Sequence, residues 1–197
     1  NDPMHLWVAG FTGVGMASSA TTTPTPVITL TDCENSGDIT VKNTDVTGQL
    51  TVGGLCANVP SKGNNSYHGA YLLTDCINSG NILCEECYSP VDLSVGGLLS
   101  ASSNYDDSAS TLKAPINTGN ITVTHSDTDK TIHMTVGGIV GDLYSGTICK
   151  NDAGQKGYVK GVITVTSSSE ADASQYRCVG GVAGFTTKGT IQDIDVL

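Results

Sequence analysis

Positive charge is scarce in this chain. Over 197 residues it carries 9 Lys and Arg against 19 Asp and Glu, a net charge of −10, and Arg177 is the only arginine. Binding to nucleic acid needs a basic footprint, and docking on anionic lipid needs one too; the composition argues against both. Charge of either sign is low at 14%, and aromatic residues make up only 5%; with a single arginine to neutralise a uronate, this argues against a polysaccharide lyase. No apolar run approaches the ~20 residues of a membrane span, which excludes membrane insertion by a helix. No secretory leader is visible at Asn1, and no window shows a helical stripe capped at both ends.

What the chain does contain is a beat. Val52-Gly53-Gly54-Leu55, Val95-Gly96-Gly97-Leu98, Val136-Gly137-Gly138-Ile139 and Val179-Gly180-Gly181-Val182 recur at intervals of 43, 41 and 43 residues. A degenerate copy, Val8-Ala9-Gly10-Phe11, precedes them. A second phrase keeps the same period: Asn35-Ser36-Gly37-Asp38-Ile39, Asn78-Ser79-Gly80-Asn81-Ile82, Asn117-Thr118-Gly119-Asn120-Ile121, and then Gly161-Val162-Ile163. A fixed period in this range marks a repeat architecture. The repeats run near 8–51, 52–94, 95–135 and 136–178, with a partial copy over 179–197, and the whole of 1–197 reads as one repeat domain cut from something longer.

Short β-branched runs such as Ile121-Thr122-Val123 alternate apolar with Thr, the period of a strand with one face inward. Gly- and Asn-rich corners separate them. Such strands suit an all-β parallel β-helix, or β-solenoid, in which no turn buries its apolar face alone and stacking supplies the core. With two coils per repeat the chain makes about nine short coils, some 40 Å of column at the inter-strand spacing of ~4.8 Å. The valines of the Val-Gly-Gly phrase should form one buried column, and Ile39, Ile82, Ile121 and Ile163 another. Glycine is expected at the corners for its positive φ, and the Gly-Gly pair at a corner where backbone from successive coils comes close.

Two of the phrases carry a family resemblance. Val136-Gly137-Gly138-Ile139-Val140-Gly141 followed by Gly146-Thr147-Ile148 resembles a GLUG-type repeat, as does Val179-Gly180-Gly181-Val182-Ala183-Gly184 followed by Gly189-Thr190-Ile191. Cys33 to Ile39 and Cys76 to Ile82 are similar to the second half of that repeat. After Gly54 and Gly97 the pattern departs, with Leu55-Cys56-Ala57 and Leu98-Leu99-Ser100. The resemblance implies a right-handed parallel β-helix in a large bacterial surface protein, adhesin-like, extracellular or on the cell surface. It brings no catalytic residues, so none is assigned.

Function is therefore expected to be non-catalytic: adhesion, or a structural stalk. Its partners would be a host or cell-surface glycan or protein, with self-association or a neighbouring domain at the ends of the solenoid. In repeat proteins insertions gather on one face, and that face often binds. The loops 57–70 and 99–111 are the longest, and they supply the candidate binding residues Tyr67, His68, Asn104, Tyr105, Asp106 and Asp107. The alternative is a carbohydrate-active β-helix enzyme, a polysaccharide lyase or glycosidase. Glycosidases use two carboxyls roughly 5 to 9.5 Å apart, and Asp32 and Asp75 occupy equivalent places; turn roles explain both more simply.

No cofactor or metal is expected. Cys84-Glu85-Glu86-Cys87 has the spacing of half a zinc site but no second pair follows, and Ser126-Asp127-Thr128-Asp129 is not a calcium loop. Seven cysteines cannot all pair within the chain. Cys33, Cys76 and Cys149 appear as equivalents of one another. At two coils per repeat they stand about 9 to 10 Å apart, beyond the ~7 Å limit for a disulfide, and are expected as buried thiols. Only Cys84 and Cys87 are close enough in sequence to pair easily, and two free thiols are the simpler reading there too.

Overall fold

The structure, a computed structural model, describes residues 4–13, 27–57, 70–102, 109–127, 133–168 and 176–197. These residues form twenty strands in four sheets, and no helix occurs among them. Every strand pairing is parallel. The protein is all-β with parallel strands.

The first sheet holds β1 (Leu6–Ala9), β5 (Gln49–Gly53), β9 (Asp92–Gly96), β14 (Met134–Gly137) and β18 (Arg177–Gly180) in that order. The second holds β2 (Val27–Thr31), β6 (Ala70–Thr74), β11 (Ser110–Lys113) and the long β15 (Val140–Cys149), which also pairs β10 (Leu99–Ala101) and β19 (Ala183–Ile191). The third is built from two- and three-residue strands, β3 (Glu34–Asn35), β7 (Ile77–Asn78), β12 (Ile116–Asn117), β16 (Gly157–Val159) and β20 (Ile194–Val196). The fourth holds β4 (Ile39–Asp45), β8 (Ile82–Tyr88), β13 (Ile121–His125) and β17 (Ile163–Ser167). The chain visits the sheets in this same order in each repeat.

Register corrects the expected coil count. Val52 is the direct partner of Val95, Val95 of Val136, and Val136 of Val179. Ile39 likewise pairs Ile82, Ile82 pairs Ile121, and Ile121 pairs Ile163. Each repeat of some 43 residues thus adds one strand to every sheet, not two, and nine coils become at most five passes. The Asn phrase and the Val-Gly-Gly phrase lie on two different sheets of the same pass. Five strands at the usual spacing span about 19 Å, half the expected length.

Both expected columns exist, and they face one another. Val52, Val95 and Val136 join Ile82, Ile121, Val41 and Val123 in one hydrophobic cluster between the first and fourth sheets. Val179, on the last strand, is 51% exposed because no further strand covers it. A second cluster, including Leu73, Leu112 and Ile148 with Leu55, Leu98 and Ile139, fills the space between the second and third sheets. In β9 all five residues are buried: Leu93 and Val95 face the first cluster, while Ser94 faces the returning chain, its hydroxyl donating to Ser100 O (2.6 Å). The segment 99–111, expected as a loop, therefore begins as the buried strand β10.

The glycine pair serves the close approach of successive backbones, as expected, and none of these glycines has a positive φ. A Cβ on Gly53, Gly96, Gly137 or Gly180 would lie 1.9 Å from the carbonyl oxygen three residues on. A Cβ on Gly54, Gly97 or Gly138 would lie 2.0 to 2.1 Å from the carbonyl oxygen of the equivalent glycine in the next repeat. Left-handed backbone occurs instead at Asp32, Asp75 and Ala114 (φ 52°, 53° and 46°), where the chain turns from the second sheet to the third. Gly96→Ala should cost ~3 kcal/mol or more, since both the carbonyl and its strand must move. Gly154→Ala, at φ 83° with nothing within 4 Å, should cost only about 1 kcal/mol. Chemical denaturation of the two variants checks this; equal losses would show that packing at Gly96 is not what the pair serves.

Candidate functional site

The six binding residues expected from sequence, Tyr67, His68, Asn104, Tyr105, Asp106 and Asp107, lie outside the described residues. Asp32 and Asp75 sit at the left-handed corner, and Asp75 Oδ1 accepts from Asn151 Nδ2 at 2.7 Å, a turn role. Cys149 pairs Lys113, which pairs Thr74; it is not the equivalent of Cys33 and Cys76. Among the described residues no group of three or more His, Cys, Asp or Glu side chains is placed to hold a metal ion.

What the repeat does bring together are three rows of polar side chains. In the first, Asn35 Nδ2 donates to Asn78 Oδ1, and Asn78 Nδ2 to Asn117 Oδ1, both at 2.8 Å. Each Nδ2 also donates to the carbonyl two residues on, Gly37, Gly80 or Gly119. Asn78 and Asn117 are fully buried. Their side chains fill the space beside Gly54 and Gly97, so the two sequence phrases interlock. The row stops where Val159 replaces asparagine opposite Asn117.

The second row is exposed. Asp38 Oδ1 accepts from Asn81 N (2.8 Å), Asn81 Oδ1 from Asn120 N (3.0 Å), and Asn120 Oδ1 from Val162 N (2.9 Å). With Thr40, Leu83 and Thr122 it lines a groove of about 300 Å³ on the outside of the fourth sheet. Sequence reasoning passed over this groove. Its signal was the fourth place of the Asn phrase, filled by Asp38, Asn81 and Asn120. Amides, a carboxylate and hydroxyls on a rigid strand array can hydrogen-bond a polar, hydroxyl-rich ligand, although much of their capacity goes to capping the next strand.

The third row is a buried polar seam. Asp92 follows Gln49 in register, and Leu93 N donates to His133 O while Met134 N donates to Tyr176 O, so Gln49, Asp92, His133 and Tyr176 stand in one column. Across the Gly-Gly turn, Asp142 pairs Ala101 and Phe185. Tyr176 stacks on Phe185 (5.4 Å) and meets His133, itself half-buried, edge-on (5.1 Å). Burial, then the charges of Asp92 and Asp142, pushes Tyr176 up to about 12. Tyr144 is raised further, by burial and then Asp142. Both phenols stay protonated and act as donors, not bases.

One titratable group is held in its neutral form by burial. His125, 2% exposed, donates from Nε2 to Cys87 O at 2.7 Å, and its Nδ1 has no partner among the described residues. The carbonyl fixes the tautomer, so protonation would place a second, unmatched N–H in the core. Burial accordingly lowers its pKa below 6.5. The unfolded chain then takes up this proton more readily than the folded one, so the stabilisation is complete above the unfolded pKa and is lost as pH falls below it. Melting temperature should drop between about pH 7 and 5.5 more steeply in the wild type than in His125→Gln. Parallel pH profiles of the two would refute this role.

No family model, curated protein or solved structure matches the chain.

Proposed function

We propose that the four sheets wrap into a right-handed parallel β-helix with one turn per repeat. We further propose that this β-helix is a non-catalytic segment of a secreted or cell-surface protein of the GLUG-repeat type, serving adhesion or acting as a stalk. The observation that carries the reading is the unbroken parallel register from one repeat to the next in all four sheets. Crossovers between parallel strands of one sheet are right-handed in nearly all proteins. The polar side chains serve the stack as well: Lys42 pairs Glu85 (2.7 Å), Lys113 pairs Asp152 (2.8 Å) and Ser79 Oγ donates to Glu34 (2.9 Å), each across repeats. Such exposed ion pairs contribute little individually, about 0 to 1 kcal/mol, but they are consistent with a column built for rigidity.

Both ends support continuation or self-association. Met4, Phe11 and Val27 are exposed at the first strands, and Val162, Val179, Val196 and Leu197 at the last. Open strand edges with apolar side chains invite a neighbouring domain or a second copy. For the adhesive role, the ligand is a glycan or protein of a host or cell surface, met by the loop residues Tyr67, His68 and Asn104 to Asp107 and by the amide groove.

A glycan array tests the adhesive role. Binding by the wild type, lost when those six residues are replaced by Gly and Ser, is the expected result; binding that survives the replacement would move the site elsewhere. Pectin and alginate should yield no reducing ends or unsaturated uronates above a boiled control. Their appearance would overturn the non-catalytic reading in favour of a lyase or glycosidase.

A further inference from the structure

The corrected register changes what the cysteines can do. Glu34 pairs Ile77 and Asn35 pairs Asn78, so Cys33 and Cys76, one residue earlier, are strand neighbours in consecutive repeats. Ile77 N donates to Cys33 O at 2.8 Å, which fixes that step directly. In-register neighbours on parallel strands stand about 4.8 Å apart, inside the roughly 4.4–6.8 Å that a disulfide spans between Cα atoms. The Cys76 side chain also leans toward the first repeat. Cys76 Sγ reaches back to Leu30 O (3.4 Å) as well as its own Thr74 O (3.3 Å), and Cys33 Sγ lies on Thr31 O (3.4 Å). Both pack into the cluster between the second and third sheets.

We propose that Cys33 and Cys76 form a disulfide that staples the first repeat to the second when the folded chain meets a small-molecule disulfide. Cys33 is half-buried and Cys76 fully buried, which sets the order of events. The Cys33 thiolate attacks the oxidant, for example glutathione disulfide, giving a mixed disulfide and one glutathione thiolate. The Cys76 thiolate then attacks the Cys33 sulfur and expels the second glutathione. Two protein thiols are oxidised, one disulfide is reduced to two thiols, and the two protons go to glutathione.

Cys149 and Cys178 are as accessible as Cys33, but their strand neighbours are Lys113 and Thr135. Neither has a cysteine beside it to close a disulfide, and the buried thiols are poorly placed to compete. Cys56 shares the pocket and is fully buried; burial raises the Cys76 thiol too, but burial first, then Cys76 and Cys33, pushes Cys56 up to about 12, so it reacts last. Cys84 and Cys87 sit together in the other cluster, both at 0% exposure, and an external oxidant has no path to either. Cys84 is held protonated by its contact with Cys87 and by burial. The easy pair of the sequence is thus the shielded one, and the pair expected to be too far apart is the accessible one.

The test uses the folded chain, incubated with glutathione disulfide, alkylated, and digested without reduction for mass spectrometry. The expected product is a Cys33–Cys76 peptide pair two hydrogen masses lighter than the free thiols, together with a rise in melting temperature of ~5 °C or more that reductant reverses. Cys33→Ser should abolish the product and the rise, whereas Cys56→Ala should keep the product. Persistent glutathionylation of Cys33 without closure, or a link from Cys76 to Cys56 or from Cys84 to Cys87 in its place, would overturn the proposal. The result does not depend on where the protein resides, so it is separable from the surface reading.

Discussion

At the turn after the first sheet, successive backbones lie so close that a carbonyl oxygen occupies the space of a Cβ. The rest of the structure depends on this contact. Gly54, Gly97 and Gly138 each face the carbonyl of the same glycine one repeat further on, at 2.0 to 2.1 Å from where a side chain would begin. The glycine before each faces its own returning chain just as closely. A spacing this tight leaves no freedom of register. A slip by one residue would set a valine side chain where only a hydrogen fits, and it would turn each apolar column outward.

The buried asparagines complete that lock from the other side. Asn78 donates both to its own turn and to the next asparagine, and its side chain fills the space beside Gly54. An amide placed in a core without partners would cost about 1–3 kcal/mol; here the stack provides them, because each amide repeats at strand spacing. Apolar columns supply most of the burial, while the amide row and the glycine turn specify which residue lies over which. The charged pairs at the surface, such as Lys42 with Glu85, follow that register and add little to it.

Much of this was legible in the sequence. The period, the parallel strands with their inward Val and Ile positions, and the importance of the glycine pair all follow from repeated residues. The number of passes per repeat did not. Asn35 and Val52 stand 17 residues apart, as do Asn78 and Val95, and such a gap fits either two stacked coils or two sides of one wider turn. Only the pairing decides, and with it the cysteine distances reversed. The buried polar seam was also hidden. Alternation in Leu93-Ser94-Val95 says that Ser94 points away from Leu93, but not that Ser100 and the returning strand cover it. The exposed amide groove was readable in principle from Asp38, Asn81 and Asn120. In the sequence these three read as turn residues, and only the pairing of the strands sets them side by side.

The most direct measurement is a set of backbone nuclear Overhauser contacts in uniformly labelled protein. One strand per sheet per repeat places the backbone of Thr51 against Ser94, and of Ser94 against Thr135. Cross-strand amide-to-Hα contacts should therefore join residues about one full repeat apart, 41 to 43 positions. Contacts of β5 with residues roughly half a repeat away, in the segment Ala70–Thr74, together with none between Thr51 and Ser94, would contradict the register on which everything above rests.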